Sequence, residues 1–102
     1  MPHFACRLIA PRPSFMLDMT PDEGALMQTH AGYWRTLLDR GTALLFGPVA
    51  DPAGGWGLAV IEVANQDEAA ALTARDPVIE AGAGFRYEIL PMPTVVLGRA
   101  SA

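Results

Sequence analysis

From His3 to Ile9 apolar and polar positions alternate. Phe4, Cys6 and Leu8 fall on one side and His3, Ala5, Arg7 and Ile9 on the other, which is the period of a strand. Pro11 and Pro13 stop the ladder and predict a long connection over residues 10–19, of the kind that often borders a site. The pattern then changes to helical spacing, with Leu26, Tyr33, Trp34, Leu37 and Leu38 on one side. Thr20-Pro21-Asp22-Glu23 supplies a cap, a proline at the first helical position and the acidic partner of a capping box. Gly41 marks the stop, giving a helix of about 20 residues, roughly 30 Å long.

Thr42 to Gly47 and Trp56 to Val63 are apolar runs on either side of Asp51-Pro52-Ala53-Gly54-Gly55, which predicts an antiparallel hairpin. Asn65 caps a second helix rich in alanine, with Glu68 three residues on, and Asp76-Pro77 ends it. Gly82 and Gly84 mark a tight approach to the last long strand, Phe85 to Ile89, and Thr94 to Leu97 is a candidate short edge strand. The order strand, helix, strand, strand, helix, strand is the ferredoxin-like βαββαβ pattern: an α+β fold with a four-stranded antiparallel sheet backed by helices on one face. No linker or repeat divides residues 1–102, so one domain is expected. The third strand carries Leu58 and Val60 on one face and Ala59, Ile61 and Val63 on the other. An apolar second face predicts a homodimer whose open sheet faces meet.

Composition narrows the chemistry. Half the residues (51%) are hydrophobic, enough for a core, but no run reaches the roughly 20 apolar residues that span a bilayer. The N-terminus lacks the pattern of a secretory signal, so a cytoplasmic protein with no membrane partner is expected. The net charge is −4, and the seven basic residues are all arginines, spread singly. Without a basic cluster, nucleic acid is not an expected partner. Without lysine, Schiff-base chemistry and a phosphate loop at Gly54-Gly55-Trp56-Gly57 are removed, and no cofactor is expected. His3 and His30 are too few for a histidine-rich metal site, and the single cysteine, Cys6, lies on the apolar side of its strand, so it reads as a buried structural thiol.

Two residues stand out as carriers of chemistry. His30 lies four residues after Leu26 and four before Trp34, which puts it on the inward side of the first helix. It is either a structural histidine held by a backbone carbonyl or a working acid/base. Asp76, at the negative end of the second helix, is either a plain helix stop or an inward carboxylate that orients the imidazole. Arg7, on the opposite side of its strand, is a candidate for an anionic substrate or for pairing across a dimer. Tyr33, Trp34 and Phe46 are candidates for an apolar wall around a small-molecule ligand.

Residues 29–48, from Thr-His-Ala-Gly-Tyr-Trp through Leu-Leu-Phe-Gly-Pro, resemble a helix and strand of the YCII-related (YciI-like) proteins. Glu68-Ala69-Ala70 and Asp76-Pro77-Val78-Ile79-Glu80-Ala81-Gly82 resemble that family's second motif. With the outer strands, the resemblance covers nearly the whole chain. It implies a dimeric α+β barrel and a candidate active site on a histidine–aspartate pair, here His30 and Asp76. Met27 stands where many relatives carry an arginine, and Val78 where many carry an aromatic. Two functions and a structural alternative follow as expectations. One is a cofactor-independent enzyme of the isomerase or lyase type, acting on a small ring-type or carbonyl-activated metabolite. The other is a non-catalytic ligand-binding or regulatory homodimer using the same cleft; a purely structural module is a third.

Overall fold

The computed structural model describes residues 1–98. The alternation at the start becomes β1 (His3–Ile9), which lies inside the sheet, between β3 (Trp56–Glu62) and β4 (Arg86–Met92). β2 (Ala43–Val49) adds to the far side of β3, so the order is β2-β3-β1-β4 with every pairing antiparallel. Register puts Phe4 opposite Ile61 and Cys6 opposite Ala59 and Ile89. These residues join Trp34 and Leu37 of α2 (Pro21–Asp39) and Ala69 and Leu72 of α3 (Gln66–Ala74) in one buried cluster. The architecture is the ferredoxin-like α+β fold that the order of elements predicts. On the other sheet face Leu45 and Leu90 stay 45% and 58% exposed, leaving an apolar surface there.

Local chemistry sets the helix boundaries. The Thr20 hydroxyl accepts from the Glu23 N–H, and the Glu23 carboxylate accepts from the Thr20 N–H, so the capping box is complete. At the other end Gly41 takes a φ of +79°, a conformation that favours glycine. Thr20→Ala is expected to cost about 1 kcal/mol of folding free energy, read as a lower urea midpoint at unchanged slope. Leu38, assigned by spacing to the apolar side of this helix, is instead partly exposed.

Four other expectations change. The connection over residues 10–19 contains a short helix, α1 (Phe15–Asp18), anchored by Phe15, which is buried edge-to-face against Phe85 at 5.1 Å between ring centroids. β2 runs on through Gly47-Pro48 to Val49, and β4 runs through Pro91 to Met92. Both are edge strands, where a proline's missing N–H need break no ladder bond. Thr94 to Leu97 forms no strand. Finally, α3 stops at Ala74, and Asp76-Pro77 opens a further short helix, α4 (Pro77–Glu80).

Candidate functional site

Pro77 holds the residue before it out of helical geometry, and Asp76 accordingly has φ −60° and ψ 131°. That extended step turns the side chain inward and makes Asp76 the N-cap of α4, with Oδ1 accepting from the Val78 N–H at 3.1 Å. The electrostatic expectation is therefore reversed. The carboxylate caps the positive end of a new helix as well as following the negative end of α3. Its other oxygen, Oδ2, accepts from His30 Nδ1 at 2.7 Å, from Trp34 Nε1 at 2.8 Å and from the Tyr87 hydroxyl. His30 and Trp34 are four apart on α2 and so share a face. Tyr87 sits on the helix-covered side of β4, opposite Leu8. The Tyr87 oxygen also accepts from Trp34 Nε1 at 3.0 Å, which closes a four-residue polar cluster in an apolar surrounding.

Asp76 is fully buried. Burial alone pushes its carboxyl up, but the hydrogen bonds from His30, Tyr87 and Trp34 outweigh it and hold the group below the ordinary carboxylate range. Tyr87 moves the other way, because burial and the neighbouring Asp76 charge both oppose a phenolate. An ionised carboxylate only accepts, so Nδ1 of His30 carries the hydrogen, and in the neutral form of the ring the lone pair is on Nε2. Among the described residues that nitrogen has no protein partner. Folding lowers the Asp76 pKa from its ordinary 3.8, so the unfolded chain takes up the proton first. The stability this group contributes is complete above the ordinary value and is lost as pH falls through the depressed folded value. Urea unfolding of wild type and Asp76→Asn at a series of acidic pH values is expected to show the wild-type advantage shrinking on acidification.

Nε2 is able to meet a small molecule because His30 lines a cavity of about 330 Å³. Its walls come from α1, α2 and the strands, with Trp34, Phe46, Phe85 and Tyr87 as the aromatic surfaces and Met16, Met19 and Met27 as flexible thioethers. Met16 lies across Gly55, where a Cβ would collide with its sulfur, so the glycine lets this side chain close over the cavity. Of the candidate residues, His30, Trp34 and Phe46 border the cavity and Asp76 stands directly behind the imidazole. Tyr33 does not border it: its hydroxyl donates to the Leu72 carbonyl at 2.6 Å. Arg7 lies on the opposite sheet face, stacked 4.7 Å from the Trp56 ring centre and 3.6 Å from Glu88.

Tyr87, Met16 and Met19 are not among the candidates the sequence offers, and Met27 enters there only as a departure from the resembled family. For Tyr87 a signal existed, since alternation in Phe85 to Ile89 puts it on one side with Phe85 and Ile89. The methionines carry no such signal. Cys6 is fully buried, and burial pushes its thiol up to about 12, so it is an inert core residue. Among the described residues no group of three or more His, Cys, Asp or Glu is placed to hold a metal ion. Nor is any helix long and apolar enough to cross a membrane.

A four-stranded open sheet with helices on one face, and a partly buried His–Asp pair beside a cavity, define a ferredoxin-like α+β protein with a candidate acid/base site. The family follows from sequence comparison: the YCII-related domain matches residues 4–93, and the chain belongs to that family. No curated protein matches it.

Proposed function

We propose that this protein is a small acid/base enzyme in which His30 moves a proton on a molecule bound in the cavity. Nε2 removes a proton from carbon or oxygen, and Asp76 stabilises the imidazolium that forms and holds the ring in the productive tautomer. The imidazolium returns its proton to another atom of the same molecule, giving isomerisation, or to a departing group, giving elimination. One observation carries this reading: the Asp76 carboxylate meets Nδ1 of His30 at 2.7 Å, and His30 itself lines an apolar cavity. Tyr87 is a positioning residue here, since its hydroxyl is committed to Asp76. A non-catalytic binder is the second reading, and the same commitment favours it, because among the described residues lining the cavity it leaves His30 as the one group free to exchange protons.

Incubation of small cyclic ketones and lactones with the protein in deuterated water separates the two. The enzyme reading expects loss of an activated C–H proton signal that depends on His30. Ligands that bind in the cavity without exchange or conversion would sink it and leave the binder. The exposed Leu45 and Leu90, beside Leu58 and Val60, support a homodimer formed through the open face. Sedimentation is expected to give a dimer for the wild type and a monomer for Leu90→Glu.

A further inference from the structure

We infer that the cavity selects by charge: it takes an uncharged, flat, apolar molecule that presents one O–H or N–H to Nε2 of His30, and it turns away carboxylates and phosphates. The inference rests on the site proposed above and adds the class of molecule it accepts. Its first support is where the cations are. Arg7 is on the far sheet face, and Arg12 is clasped by Asp18 at 2.8 Å and by both oxygens of Glu23. Arg35, Arg40, Arg75 and Arg86 are exposed, and none of these six lines the cavity; Arg99 lies outside the described residues. An anion entering the apolar space would lose its water and gain no charged partner.

The second support is the polar cluster itself. With neutral His30 the pair carries the single negative charge of Asp76, and with protonated His30 it is neutral overall. In neither state is it a net cation. Other charged groups do not alter that balance, since Tyr87 is held neutral by burial and by its bond to Asp76. The third is shape. Phe15, Trp34, Phe46 and Phe85 offer ring faces and edges, with thioethers filling between them, and 330 Å³ accommodates one or two fused rings.

A matched set of probes tests this: 2-naphthol, naphthalene and 2-naphthoate, titrated at pH 7 and followed by backbone amide shifts around the cavity. Wild type is expected to bind 2-naphthol about tenfold or more tighter than 2-naphthoate, and tighter than naphthalene. His30→Leu is expected to erase the preference of naphthol over naphthalene while both still bind. Met19→Lys, at the exposed rim, is expected to admit naphthoate. Equal binding of naphthol and naphthoate to wild type, or no binding of any probe, would overturn the inference. Charge selection without proton exchange on any ligand would overturn the enzyme reading alone, and turnover of an anionic substrate would overturn the charge selection alone.

Discussion

Asp76→Ala is expected to lower the unfolding free energy by about 3–5 kcal/mol, the largest effect on stability of any single substitution in the site. The alanine would leave the Trp34 N–H and the Tyr87 hydroxyl in a buried space without their acceptor, and His30 would lose the partner of Nδ1. Each unsatisfied buried group costs about 1–3 kcal/mol, and α4 would lose its cap besides. Trp34 and Tyr87 retain one bond to each other, which keeps the total from being a simple sum. Asp76→Asn should fall between, because an amide has one acceptor oxygen and must turn its NH₂ group toward some of the same donors. Urea unfolding at pH 7 measures all three proteins. A loss below about 1 kcal/mol for the alanine variant would mean that water replaces the carboxylate, and that the cluster is no structural anchor.

The largest effect on activity is expected at His30. Removing a positioned general base costs about 10²- to 10⁴-fold in rate, so His30→Ala should lower kcat by that order on any substrate that wild type converts. KM should change little, because most of the contact with a ligand comes from the aromatic and thioether walls. Stability should fall less than in Asp76→Ala, since the carboxylate keeps its bonds from Trp34, Tyr87 and the Val78 N–H. Steady-state kinetics beside unfolding curves separates the two residues. If His30→Ala keeps its turnover while losing stability, the imidazole is a structural partner of Asp76 and the reaction must be sought elsewhere.

The parts of this molecule that were legible beforehand are those governed by nearest neighbours. Thr20 to Glu23 contains both halves of the capping box, and Gly41 its stop, so α2 is readable over five turns. The alternation in β1 states which side is buried before any partner strand is known. What was misread depends on contacts far along the chain. Whether Pro48 or Pro91 ends a strand depends on its being at a sheet edge, which only the assembled order β2-β3-β1-β4 decides. Asp76-Pro77 is a stop for α3 from one side and a start for α4 from the other, and the two readings give the carboxylate opposite electrostatic surroundings. Arg7 was the natural candidate for a ligand contact by residue type. Its position in β1, fixed by the same alternation that buries Cys6, puts the whole sheet between it and the cavity.

The single oxygen on which His30, Trp34 and Tyr87 converge has a consequence for how the protein comes into being. It joins positions 46 and 42 residues apart in the chain, and it does so only when α2, α4 and β4 are all docked. Closing loops of that length costs entropy before the contacts repay it, and non-local contacts of this kind slow folding. Until they form, the imidazole has no fixed tautomer and the carboxylate, still hydrated, has no fixed partner. A half-assembled chain, or one with α2 detached, therefore carries both residues and yet no assembled His30–Asp76 pair. On the reading proposed above, the pair is complete only in the form of the chain in which α2, α4 and β4 have all docked.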